Sequence, residues 1–240
     1  MYASLRCLMR LMVSVYLFGL ISVEGRQNVP RRGGLLVCSN HRSTIDPPLL
    51  PAYLPRGDSW SMAKAEFFAK RNFTNWLFTT YHGFPVIRHT ADRTALKRSF
   101  RMLDAGECLI VYPEGTRVDA GGLIRGEPGA GYLAQRSQAP VLPVALLGTQ
   151  ECFPKGAKWP RRVRVKVIFG QPFTLPARYR GGQRVDPQDA ADAIMLSIAE
   201  LLPPGGRGEY ADLDRFRERV GSLRVPLERA EPVQPRLDDL

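Results

Sequence analysis

"LLVCSNHRSTIDPPLLPAYL", Leu35 to Leu54, carries a whole strand–loop–helix unit in one stretch. Leu35 to Cys38 is an uncharged apolar run, the pattern of a strand covered on both faces. Pro47 and Pro48 suit the first turn of a helix, where an N–H would lack a partner anyway. Between strand and helix lie His41 and Asp46. Two roles are open for them. An aspartate before Pro-Pro is a good helix N-cap, and a histidine can simply satisfy turn hydrogen bonds. Alternatively, with Asp46 capping the helix that begins at Pro47, the loop folds the imidazole back against the carboxylate, which then fixes the tautomer and stabilises the imidazolium. The second ring nitrogen would be left to take a proton from a hydroxyl. This spacing alone does not choose.

Moving outward, strand and helix patterns keep alternating. SWSMAK (59–64) and FPVIR (84–88) read as strands, and the aromatic-rich AEFFAKRNFTNWLFTTYHG (65–83) between them as a helix stopped by Gly83. TADRTALKRSFRMLDAG (90–106) sets Leu96, Phe100 and Leu103 on one helical face, with Gly106 as the stop. CLIVYPEGTR (108–117) is a buried strand running into a loop. EPGAGYLAQRSQ (127–138) is a helix and APVLPVALLG (139–148) a further strand. VRVKVIFG (163–170) alternates charged and apolar residues, as a strand with one solvated face does. DPQDAADAIMLSIAELL (186–202) is the last clear helix. This order predicts a single α/β domain with a mixed, largely parallel sheet flanked by helices.

An N-terminal hydrophobic helix precedes that domain. Leu11 to Val23 is uncharged and follows Arg6 and Arg10. It is short of the roughly 20 apolar residues that a membrane span needs. Glu24 falls where signal-peptide cleavage would want a small residue. The expectation is an uncleaved helix, residues 1–22, lying in or dipping into the cytoplasmic leaflet with its arginines at the headgroups. The predicted domain covers 23–206. Residues 207–240, with seven arginines against eight acids, form a charged, partly helical tail.

The composition, 44% apolar and 24% charged, is that of a globular chain. A net charge of +11 suits a phosphate-bearing partner. No nucleic-acid-binding module is recognisable, so nucleic acid is not the expected partner. G-x-S-x-G and G-x-x-x-x-G-K-[ST] are both absent, which argues against a serine hydrolase and a P-loop enzyme. Cys7, Cys38, Cys108 and Cys152 have no metal-ligand or redox spacing, so neither a metal nor a disulfide is expected.

Arg88 and Arg117 each follow a strand pattern, where ligands of α/β sheets gather. Arginine forks match phosphate oxygens. Taken together and in this order, NHRSTID (40–46), GFPVIR (83–88), PEGTR (113–117) and VLPVA (141–145) resemble the four blocks of the glycerolipid acyltransferase family, specifically the 1-acylglycerol-3-phosphate acyltransferases. The resemblance covers about Val23 to Gly170. The family usually has a lysine before the Pro-Gly-Ala turn, where this chain has Glu127; Arg125 lies nearby.

The resemblance implies a glycerol-3-phosphate acyltransferase-like fold and a one-step acyl transfer giving phosphatidic acid. His41, oriented by Asp46, would deprotonate the free hydroxyl of lysophosphatidic acid. The oxygen would then attack the thioester of acyl-CoA or acyl carrier protein, with no metal or other cofactor. It further implies that Arg88 and Arg117 bind the acceptor phosphate, that Glu114, Gly115 and Thr116 shape that site, and that Lys64 adds a contact. An anionic membrane surface, on the cytoplasmic face of the cell membrane, is the expected setting. A relative acting on glycerol 3-phosphate or another lysolipid, and a non-catalytic membrane-surface protein of the same fold, are the alternatives.

Overall fold

The computed structural model describes residues 1–87, 92–118, 121–179 and 181–227. In chain order the elements are α1 (Tyr2–Tyr16), β1 (Ile21–Glu24), β2 (Leu35–Ser39), α2 (Asp46–Tyr53), β3 (Ser59–Lys64) and α3 (Phe73–Thr80). Then come β4 (Gly83–Val86), α4 (Arg93–Asp104), β5 (Cys108–Val111), α5 (Pro128–Ser137), β6 (Val141–Leu147) and α6 (Thr149–Cys152). The chain continues through β7 (Val165–Phe169), β8 (Phe173–Thr174), α7 (Pro187–Leu201), α8 (Leu213–Val220) and β9 (Val225–Pro226).

One sheet holds all these strands, in the order β1-β7-β6-β2-β5-β3-β4, with β8 and β9 on a side branch from β6. From β6 to β4 every pairing is parallel; β7 runs antiparallel to β6 and parallel to β1. The sheet is mixed and largely parallel, flanked by helices, as the alternation of patterns predicts.

Strand alternation divides the core in two. Leu36, Cys38, Leu109, Val111, Val141 and Ala145 point to the face covered by α4, α5 and α7. Leu35, Val37, Cys108, Ile110, Leu142, Val144 and Leu146 point to the face covered by α1 and α2. With both faces covered, β2 and β5 need apolar side chains at every position. Next to the edge strand, β7 buries Val165, Val167 and Phe169 on one face, while on the other Ile168 is half-buried and Lys166 reaches Glu24 at 2.8 Å.

Three features depart from the sequence expectation. The N-terminal helix ends at Tyr16, and Ile21–Glu24 pairs with β7 as strand β1. An uncharged run does not by itself separate the end of a helix from a strand that follows it. The aromatic segment 65–83 is also broken, into a 3-10 turn (Ala65–Phe68) and α3. His82, at φ 55°, ends the second piece, and Gly83 opens β4.

The third departure is that residues 207–227 belong to the folded body. Tyr210 is 1% exposed and donates its hydroxyl proton to the buried Asp192 of α7 at 2.7 Å. Val220 and Leu223 are buried in the same core. The apolar positions were too sparse among the charges to stand out. Backbone bonds from Leu123 N–H to Gly206 O (3.1 Å) and from Glu209 N–H to Leu123 O (2.9 Å) tie this segment to the loop before α5. Gly122 permits the approach: a Cβ there would stand 1.9 Å from the Gly208 nitrogen.

Candidate active site

The parallel strands all deliver their carboxyl ends to one edge, so His41, Lys64, Tyr112–Arg117 and Gly148 emerge together. Such an edge is where α/β sheets bind ligands.

Asn40 sets the exit angle of the first loop. Its side-chain amide donates to Leu146 O at 2.9 Å, and its carbonyl oxygen accepts from Leu146 N–H at 2.8 Å. These two bonds continue the β2–β6 ladder one residue past its last backbone pair, Ser39–Val144.

His41 follows. Its Nδ1 lies 2.9 Å from Asp46 Oδ2. The same oxygen accepts the backbone N–H groups of Arg42 and Ser43, both at 2.7 Å. The imidazole is thus folded against the carboxylate, but without the helix cap expected of Asp46. Asp46 is the first residue of α2, Ile45 occupies the N-cap position without a side-chain bond, and the carboxylate turns back into the loop. Asp46 is fully buried and His41 is 6% exposed. A charge removed from water needs donors, and three converge on Oδ2. With Nδ1 held, Nε2 is the ring nitrogen left without a partner among the described residues, and it is not sealed from solvent.

The Tyr112 ring stacks on the imidazole, with centroids 4.2 Å apart and planes 24° from parallel. Burial, with Asp46 close by, pushes the Tyr112 phenol up well above its ordinary range. The tyrosine therefore acts as a flat wall beside His41.

The PEGTR segment brackets His41 from both sides. The His41 N–H donates to Glu114 Oε1 at 2.9 Å, and Val118 N–H donates to His41 O at 3.0 Å. Ile124 N–H reaches the other Glu114 oxygen at 3.3 Å. Glu114 is thus placed away from the anion-facing role implied for it. It is 2% exposed, and both its oxygens face backbone donors. Burial pushes its carboxyl up to about 7. Gly115, at φ 65°, makes the turn; a Cβ there would sit 3.0 Å from Glu127 Cγ. Thr116 is exposed. Arg117 is half-buried and has no hydrogen-bond or ion-pair partner among the described residues.

Lys64 ends β3, half-exposed, at the same edge. Arg88 lies outside the described residues. Sequence reasoning missed Asn40, Tyr112 and Arg42. Arg42 is occupied structurally: its guanidinium donates to Gly121 O (2.7 Å), Gly122 O (3.1 Å) and Gln150 Oε1 (2.9 Å). Only Asn40 had a readable signal, an amide placed directly after a buried strand. No group of three or more His, Cys, Asp or Glu side chains positioned to hold a metal ion occurs among the described residues.

Glu114 gives a prediction on pH. Its folded-state pKa is raised, so its contribution to stability is complete below about 4.5 and is lost as the pH rises through about 7. Glu114→Gln, neutral at every pH, should flatten this loss, which is on the order of 3 kcal/mol for a rise of this size. The measurement is the unfolding midpoint of both proteins from pH 5 to pH 8. Parallel curves would show that Glu114 is ionised throughout.

A histidine locked to a buried carboxylate, with its other ring nitrogen unpartnered among the described residues, is an arrangement that can take a proton from a nucleophile. Residues 20–147 match the Acyltransferase family model, and the chain belongs to this family. It is an acyltransferase. The 1-acyl-sn-glycerol-3-phosphate acyltransferase of Bacillus subtilis is 28% identical over 170 residues, 70% of this chain and 80% of that protein. The alpha enzyme of the same name from Ovis aries is 26% identical over 203 residues, 80% of this chain and 68% of that protein. Of the chloroplastic LPAT1 of Arabidopsis thaliana, 28% identical, the match spans 46% of the length. The crystal structure of PlsC, the 1-acyl-sn-glycerophosphate acyltransferase of Thermotoga maritima, shares the fold. It has a TM-score of 0.61 and 24% identity, covering 92% of this chain and 77% of that one.

Proposed function

We propose that the protein transfers an acyl group from acyl-CoA or acyl carrier protein to the free sn-2 hydroxyl of 1-acyl-sn-glycerol 3-phosphate, yielding phosphatidic acid. The observation that carries this reading is the His41–Asp46 pair, bracketed by the loop that bears the half-buried Arg117. The names of the three enzymes matched in Bacillus, Ovis and Arabidopsis support the acceptor.

His41 Nε2 takes the hydroxyl proton as the oxygen attacks the thioester carbonyl. The Asp46 carboxylate stabilises the imidazolium that forms. Collapse of the tetrahedral intermediate breaks the carbon–sulfur bond, and the imidazolium returns its proton to the leaving thiolate. Arg117, together with Arg88 and Lys64, holds the acceptor phosphate. The test is the purified protein offered phosphate-bearing and neutral lysolipids with each thioester donor. Transfer confined to neutral lysolipids overturns the acceptor assignment; transfer to none overturns the reaction.

The reaction takes place at the cytoplasmic face of the membrane, with α1 in contact with the leaflet. No described helix is long and apolar enough to cross a bilayer. Instead α1 lies on α2 and leaves Leu8, Leu11, Met12 and Val15 exposed. Their spacing marks one helical face, which suits an interfacial helix.

A further inference from the structure

The connection from α6 to β7, residues 153–164, reads FPKGAKWPRRVR and contains five cations and no acid. Trp159 stands 81% exposed at its tip, and Lys158, Arg161, Arg162 and Arg164 are exposed around it. The segment has a fixed base. Arg161 N–H bonds Cys152 O at 2.6 Å, the Tyr16 hydroxyl of α1 donates to Pro160 O at 2.6 Å, and the Ser43 hydroxyl donates to Phe153 O at 3.0 Å. It is therefore fastened both to the N-terminal helix and to the loop that holds His41. Between it and α1 lies an apolar groove of about 330 Å³, whose floor includes Ile45 and Pro48, on either side of Asp46 and Pro47.

The sequence expectation put the arginines of α1 at the headgroups, and the structure gives them other work. Arg6 donates to Pro51 O and Leu54 O at the end of α2, and Arg10 lies over the Tyr53 ring, 5.8 Å from its centroid. The helix thus offers a leaflet its apolar stripe, with Arg6 turned to α2 and Arg10 exposed beside Tyr53. The cations stand in the adjoining segment.

We infer that residues 153–164 form a second membrane-docking element, which selects an anionic phospholipid leaflet beside α1. The Trp159 ring enters the boundary between headgroups and acyl chains, and Arg161 and Arg162 engage lipid phosphates. A tryptophan has an apolar body and one N–H donor, which fits that boundary. Each basic residue near an anionic leaflet strengthens partitioning several-fold, and arginine pairs phosphate with two parallel bonds. Docking there turns the apolar groove, and the loop of His41 behind it, toward the bilayer that holds the acceptor. The inference rests on the membrane setting proposed above and is independent of the acceptor assignment.

Vesicle binding by the full-length protein tests it, without substrate. Vesicles of phosphatidylcholine with phosphatidylglycerol are compared with phosphatidylcholine alone, using wild type, Trp159→Phe, Arg161→Glu/Arg162→Glu and Leu11→Asp/Val15→Asp. The arginine double variant should bind anionic vesicles at least about tenfold more weakly, with binding to neutral vesicles unchanged. Lipids brominated in the acyl chains should quench wild-type tryptophan emission, and Trp159→Phe should lose most of that quenching. The exposed positions leave the unfolding midpoint as a check that each variant folds. If the α1 variant loses binding while the loop variants bind and quench like wild type, the loop inference is overturned and the membrane setting stands. If wild type binds no vesicle, both are overturned. Preferential binding of duplex DNA at moderate salt, competing with vesicles, would reassign the surface and overturn the lipid reading as well.

Discussion

His41→Ala should lower the rate of acyl transfer by about 10²- to 10⁴-fold, the usual range for removing a general base. The prediction follows from the position of the ring. One nitrogen is held at 2.9 Å by a fully buried carboxylate, and the other has no partner among the described residues. The hydroxyl of a glycerol backbone is far too weak an acid to ionise alone at neutral pH, so the proton must leave as the oxygen attacks. Loss of the imidazole removes its acceptor. The fold should survive, because the backbone N–H and C=O of residue 41 still bond Glu114 and Val118. Asp46→Asn should lose less. An amide oxygen can keep the bonds from Arg42 and Ser43 while the charge that stabilises imidazolium is gone. Initial rates with lysophosphatidate, alongside unfolding midpoints, separate these effects. A fall of only a few-fold in His41→Ala would falsify the general-base role.

Arg117→Ala should raise the KM for lysophosphatidate by about thirtyfold, with a much smaller effect on the KM of the thioester. Charge-assisted hydrogen bonds are worth about 2 kcal/mol or more each when the anion is left unpaired. Arg117 is half-buried, lacks a protein partner among the described residues, and precedes the Val118 N–H that bonds His41 O. Its backbone is therefore held beside His41, while its guanidinium has no partner among the described residues. Arg117→Lys should fall between wild type and alanine, since an ammonium keeps the charge but not the fork. The readout that separates substrate recognition from a structural defect is the ratio of kcat/KM on phosphate-bearing and neutral lysolipids. An unchanged ratio in Arg117→Ala would move the phosphate site elsewhere along the edge.

The contrast between His41 and Glu114 shows how far the motif could be read. Both stand in short polar stretches after buried strands, and both look like ligand-facing groups in a linear sequence. Only packing separates them. Two backbone N–H groups and the loss of water commit Glu114 inward, whereas His41 keeps one nitrogen accessible. The C-terminal segment makes a similar point. Tyr210 is one aromatic among many charges in the sequence; in the fold its ring joins the core and its hydroxyl meets both Asp192 of α7 and the Gly126 N–H.

The sequence by itself determined the α/β class and the boundaries of most strands, because periods of 2.0 and 3.6 and uncharged runs are local properties of the chain. It also singled out His41, Asp46 and Arg117, whose residue types at strand ends carry their chemistry with them. The tertiary structure alone decided that Ile21–Glu24 is a strand, since a four-residue stretch is too short to declare its own period and acquires that state from its partner β7. It alone turned Asp46 back onto His41 instead of capping α2, stacked Tyr112 against the ring, and directed Glu114 to backbone donors. The Tyr112 and Glu114 contacts join groups some seventy residues apart in the chain, and around His41, where water is excluded, the cost of an unpaired polar group fixes which partner each one takes.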